Sequence, residues 1–141
     1  MRVQHRFVDF IPDIIEDGIL YISLGYGTVI HKCACGCGNE VNTPLNPTGW
    51  EMVYNGETIS LKPSIGNWSF DCKSHYWIVN NKIKWSVKWN NEKIKKVRRE
   101  EGFQRQKYYR KKNYEAFNTE TLILKPKINK KKWFYKFLFW K

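Results

Sequence analysis

A chain of 141 residues with 42% hydrophobic residues and seven tryptophans holds apolar material for one compact core plus an appendage, not for two large domains. Its charge is segregated: residues 1–72 carry four Lys/Arg against eight Asp/Glu, and residues 73–141 carry twenty-one against five, so the halves are −4 and +16. No run of eighteen apolar residues occurs and the opening MRVQHRFVDFIPDIIEDG has no continuous apolar stretch, which argues against a transmembrane segment and a signal peptide and leads to the expectation of a soluble, cytoplasmic protein.

Taken in chain order, residues up to about 90 alternate β-branched and aromatic runs with Gly, Pro and Asn, the pattern of short strands and turns. Strands are predicted at Ile19–Leu24, Thr28–Lys32, Glu51–Tyr54, Thr58–Lys62, Trp68–Cys72 and His75–Val79. Asn55-Gly56, between Val53-Tyr54 and Ile59-Ser60, predicts a hairpin closed by a type I′ turn, since both residues tolerate positive φ. From Glu92 to Phe117 Gly and Pro are almost absent and Lys, Arg, Glu and Gln dominate, which predicts a helix with a thin apolar stripe of Ile94 and Val97, extended by Glu101. The last segment, Lys130–Lys141, is basic and densely aromatic, too short to span a bilayer but suited to a surface or groove. The expected architecture is therefore mainly β, a small zinc-stapled β domain over 1–90 followed by a basic aromatic C-terminal helix or tail over 91–141.

The four cysteines are Cys33, Cys35, Cys37 and Cys72. In a reducing compartment such a cluster points to metal binding rather than disulfides. With alternate side chains facing the same way, His31, Cys33, Cys35 and Cys37 would share one face of a strand or tight loop, with Gly36 and Gly38 letting the thiolates converge and Cys72 closing the set. Four thiolates bind Zn2+ tetrahedrally and leave no position for water, so the ion is structural. His31 is an alternative ligand on the same chemistry.

Pro63-Ser64-Ile65-Gly66-Asn67 sets a serine between a φ-locked residue and a glycine, a context that can present a hydroxyl on a tight turn beside backbone N–H groups. The histidines are His5, His31 and His75, and His75 follows Cys72 closely enough for a metal tether to hold it as a general base. Ser64 with His75 is the preferred pair. Ser74 is the rival nucleophile and would need His31, because Ser74 and His75 face opposite sides of a strand. Asn67 can orient the base or donate to an oxyanion, and Asp71 can supply a carboxylate.

The string from His31 to Gly38, then Thr43-Pro-Leu45, Ser60 to Trp68, and Cys72 to Ile78 resembles a bacterial domain-of-unknown-function family of zinc-containing serine peptidases, encoded in operons with ubiquitin-like proteins and their E1-like and E2-like partners. The resemblance covers roughly residues 6–90. It implies a hydrolase that cleaves the C-terminus of a ubiquitin-like protein, for precursor processing or deconjugation, in anti-phage defence. It also implies zinc at Cys33, Cys35, Cys37 and Cys72, and places Ser64 and His75 at the matching polar positions of the two later motifs. The alternatives are a zinc-stapled nucleic-acid-binding module, which the basic half with its interleaved Tyr and Trp would suit through phosphate pairing and base stacking, and a non-catalytic adaptor of the same pathway.

Overall fold

The structure is a computed structural model and describes residues 1–124. The first compact unit is Met1–Glu101, and the second begins at Gly102, within the C-terminal helix. The basic segment Lys130–Lys141 lies outside the described residues.

The first unit carries two four-stranded sheets. One holds β1 (Gln4–Phe7), β2 (Ile19–Ser23), β3 (Thr28–Lys32) and β4 (Glu40–Pro44) in that order, with β1 parallel to β2 and the rest antiparallel. The other holds β5 (Glu51–Tyr54), β6 (Ile59–Gly66), β7 (His75–Val79) and β8 (Lys82–Trp85), all antiparallel. Inward positions explain the pairing: β3 buries Val29 and His31, and β4 buries Val41 and Thr43, at the period of two that a half-buried strand requires. β2 is buried throughout. Its Leu20 and Ile22 join one cluster with Val29, Val41, Leu61, Ile65, Tyr76 and Ile78, so both sheets share a core, while Ile19 and Tyr21 pack with Ile15 in a second cluster. Each such aliphatic side chain removed from water contributes roughly 1.5–3 kcal/mol.

Several sequence expectations need correction. Trp68–Cys72 is not a strand: residues 67–74 form turns, with Phe70 N–H donating to the Asn67 carbonyl and Lys73 N–H to that of Phe70, and Lys73 at φ 43°. The aromatic composition read as strand because Trp68 and Phe70 pack onto neighbours from a loop. The hairpin around Asn55-Gly56 forms, with Val53 opposite Ser60 and Tyr54 opposite Ile59, so that four residues rather than two connect its strands. Its turn is not type I′, since only Gly56 has positive φ and Asn55 Oδ1 instead accepts from Glu57 and Thr58 N–H. The two-residue turn with both φ positive is Asn80-Asn81, at 50° and 57°, joining β7 to β8.

The helix α1 runs Asn91–Leu124, longer than expected. Asn90 starts it: its side-chain oxygen accepts from Lys93 N–H at 2.8 Å and its carbonyl from Ile94 N–H. Ile94 is buried and Val97 half-buried in the first unit, whereas Glu101 is exposed.

Candidate active site and metal centre

β6 and β7 run antiparallel, with Gly66 opposite His75, and the register between them shifts between Leu61 and Ile65. Ser64 sits in that irregular stretch, inside the strand rather than on the tight turn expected for it. The shift brings its hydroxyl to 2.9 Å from His75 Nε2. A neutral imidazole accepting there carries its proton on Nδ1, which is buried and has no hydrogen-bond partner among the described residues. Asp71 is exposed on the turn, and Asn67 is committed elsewhere, so the structure brings neither to His75.

Aromatic rings enclose the imidazole. Trp68 lies 4.9 Å from His75, Trp77 5.4 Å and Trp89 4.4 Å between ring centroids, and Trp68 stacks on Trp89. A Cβ at Gly66 would overlap the Trp68 indole, so glycine is what lets that ring lie close against β6. Lys93 of α1 holds its ammonium 4.4 Å from the Trp89 ring centroid. Burial pulls His75 below its ordinary value and the charge of Lys93 adds to the shift. The Trp cage escaped sequence reasoning because Trp89 lies in a segment with no regular structure between β8 and α1; the density of tryptophans between 68 and 89 was the available signal.

Cys33, Cys35 and Cys37 occupy a tight loop after β3, one of the two settings expected for them. Gly36 and Gly38 take φ of 81° and 79°, Gly36 N–H donates to the Cys33 carbonyl, and Cys33 N–H donates to that of Asn39. This folding turns Cys35 and Cys37 toward Cys33 and toward Cys72 on the β6–β7 turn. The four Sγ atoms lie within 4.8 Å of one another, with Cys33–Cys35 at 3.4 Å, Cys37–Cys72 at 3.7 Å and Cys33–Cys72 at 4.0 Å. Tetrahedral thiolates about 2.3 Å from a central zinc stand roughly 3.8 Å apart, so the spacing and the soft donor set both fit such an ion. Backbone N–H donation at Asn39 pulls the Cys37 thiol down to about 6, whereas burial pushes the neighbouring Cys35 thiol up to about 12.

His31 is not in this cluster. Its Nε2 is 3.0 Å from the Tyr76 hydroxyl, and burial pushes it down to about 4, so it is neutral. Ser74 is buried with its hydroxyl 3.1 Å from Cys33 Sγ and 2.9 Å from Asn67 Nδ2. The pairs the structure assembles are thus Ser64 with His75 and Ser74 with Cys33; Ser74 and His31 are not hydrogen-bonded to each other. His5 pairs with Asn81 at the far edge of the sheets.

A groove of about 690 Å3 lies between the β4–β5 loop and β6, with Leu45, Trp50, Met52, Lys62 and Pro63 among its walls; Pro63 is the chain neighbour of Ser64, which does not itself line it. Among the described residues no helix is long and apolar enough to cross a membrane.

Residues 7–86, more than half of the chain, match the family model described as bacterial ubiquitination-like system serine protease (BubE). No curated protein and no solved structure matches the chain.

Proposed function

The chain belongs to the BubE family of bacterial ubiquitination-like system serine proteases, and we propose that it is a Ser64–His75 peptidase acting on the C-terminus of a ubiquitin-like protein, for precursor processing or removal from targets. The observation that carries this reading is the 2.9 Å contact between the Ser64 hydroxyl and His75 Nε2, the one serine–histidine hydrogen bond among the described residues. It is the geometry a general base needs to take the hydroxyl proton.

In this account His75 Nε2 takes the Ser64 proton as Oγ attacks the scissile carbonyl carbon, and the new C–O bond forms an oxyanion held by backbone N–H groups near Gly66. His75 then gives the proton to the leaving amine, the C–N bond breaks, and water attacks the acyl-serine by the same route. The tryptophans around His75 keep bulk water from the imidazole and strengthen its bond to Ser64. An extended tail would lie in the groove that Pro63, the chain neighbour of Ser64, helps to line, with Trp50 and Met52 giving apolar contact and Lys62 a charge. Zinc at Cys33, Cys35, Cys37 and Cys72 would supply cross-linking of the β3 loop to the β6–β7 turn and no chemistry.

A ubiquitination-like system, as the family is described, supports partners from the same pathway; that these are E1-like and E2-like proteins, in a cytoplasmic anti-phage defence, is what the resemblance implies and part of this proposal. The basic helix supports a further contact with polyanions, because α1 presents Lys and Arg beside exposed Phe103, Tyr109 and Tyr114. Incubating the full chain with a ubiquitin-like precursor and weighing the products tests the reading: it requires a shortened C-terminus, produced by wild type and not by Ser64→Ala.

A further inference from the structure

Between the cysteine cluster and the Ser64–His75 pair lies a buried polar layer that the cleavage step does not use. Asn67 follows Gly66 at the end of β6, and Ser74 precedes His75 at the start of β7. Both are buried, each 7% exposed. Asn67 N–H donates to the Ser74 carbonyl at 2.9 Å, which extends the β6–β7 ladder by one bond beyond the Gly66–His75 pair. Their side chains face the cysteines. Asn67 Nδ2 donates to Ser74 Oγ at 2.9 Å and reaches Cys33 Sγ at 3.5 Å, and Ser74 Oγ is 3.1 Å from the same sulfur. Asn67 Nδ2 also lies 3.4 Å from the Tyr76 hydroxyl, which hydrogen-bonds His31, so its two hydrogens are shared among three neighbours.

The donor inventory fixes one bond of this layer. An amide nitrogen only donates, so Ser74 Oγ accepts from Asn67, while between Ser74 Oγ and Cys33 Sγ either atom can donate. A metal-bound Cys33 would take both side chains as its outer hydrogen-bond partners. Buried polar groups wired in this way are costly to leave unpaired. The state of Cys33 is therefore felt at the two residues that flank the Gly66–His75 register, one on each strand.

We infer that Asn67 and Ser74 are positioning residues that couple the cysteine cluster to the Ser64–His75 pair, hydrogen-bonding Cys33 with their side chains while their backbones clamp the strands that carry nucleophile and base. The inference rests on the peptidase reading for its second half only. Removing either side chain, or the metal that would hold Cys33 in place, would loosen the Ser74–Cys33 contact and with it the Gly66–His75 register.

The test uses the full chain loaded with cobalt(II), whose thiolate charge-transfer band reports the cluster. Ser74→Ala and Asn67→Ala should each bind metal about 10- to 100-fold more weakly in competition with a chelator, the usual cost of losing an outer-shell donor. At saturating metal both should label Ser64 with a fluorophosphonate about 10-fold more slowly, and cut peptide with lower kcat at unchanged KM. Ser74→Thr, which keeps the hydroxyl, should stay near wild type in both readouts. Should the alanine variants fail to fold, wild type stripped by chelator replaces them: its Ser64 labelling should fall before tryptophan fluorescence reports unfolding. Unchanged metal affinity in both variants, or a folded metal-free protein that labels at the full rate, overturns the coupling. Absence of label on metal-loaded wild type overturns the peptidase reading and the coupling with it, whereas normal label with unchanged affinity overturns the coupling alone.

Discussion

Trp89 meets His75 with ring centroids 4.4 Å apart at an interplanar angle of 69°, and its own ring carries the Lys93 ammonium 4.4 Å from the centroid. The base of the proposed peptidase is thus walled by an indole and faces a positive charge, both of which oppose its protonation.

A pH profile follows from that arrangement. His75 is lowered from its ordinary 6.5 by burial first and Lys93 second. The base is competent when neutral, above its depressed value, so the midpoint of the acid limb of kcat/KM should lie below 6.5. Lys93→Glu replaces a repelling charge by an attracting one and should move the acid limb upward. An acid limb above 6.5 in wild type, or one that Lys93→Glu leaves in place, contradicts the assignment of His75 as base.

Gly66→Ala should slow cleavage. The added methyl overlaps the Trp68 indole, which must leave its position against β6, and Trp68 is one wall of the His75 cage. Overpacking of this kind costs about 1–3 kcal/mol. The expected result is a kcat about 10-fold lower with reduced Trp68–Trp89 stacking, seen as a weakened exciton signal in near-UV circular dichroism. Wild-type kcat with that signal lost would show that the cage is dispensable.

Elemental analysis should find about one zinc per chain, because four thiolates saturate one tetrahedral ion. Cys72→Ser removes the ligand that joins the β6–β7 turn to the β3 loop and should lower stability by several kcal/mol, read from denaturant midpoints. A variant that melts with wild type removes Cys72 from the ligand set.

Removal of residues 102–141 takes away twelve Lys/Arg and two Glu. The shortened protein should keep peptide cleavage and lose salt-sensitive binding to polyanions. Cutting instead after Asn90 removes Ile94, which is buried in the first unit, and should cost roughly 1.5–3 kcal/mol more. Equal stability of the two truncations would mean that Ile94 contributes no packing.

Much of the fold was legible where residues have one task. β2, β3, β5, β6 and β7 were visible because their apolar or β-branched runs serve the core, and the four cysteines because soft donors seldom cluster for another reason. β1 and β8 were not: Gln4–Phe7 buries no side chain fully and Lys82–Trp85 buries only Ile83, so pairing with β2 and β7, not their own pattern, makes them strands. β4 was hidden because Thr43 and Pro44 resemble a turn, while Thr43 is in fact buried with its hydroxyl bonded to the Val29 carbonyl. The nearness of Ser64 and His75 was guessable from spacing, but the strand irregularity that creates it was not. Ser74 and Asn67 looked like a rival nucleophile and an orienting amide because sequence shows which groups are polar and not which sulfur they face.

The measurement closest to the central claim is fluorophosphonate labelling of the metal-loaded full chain followed by peptide mapping, since the probe forms a stable bond only with a hydroxyl activated by a neighbouring base. The account predicts a single label on Ser64, absent in Ser64→Ala and in His75→Ala, with both variants keeping wild-type metal content and cleaving a ubiquitin-like precursor at least about 1,000-fold more slowly. A label on Ser74, or precursor cleavage that survives Ser64→Ala, would contradict it.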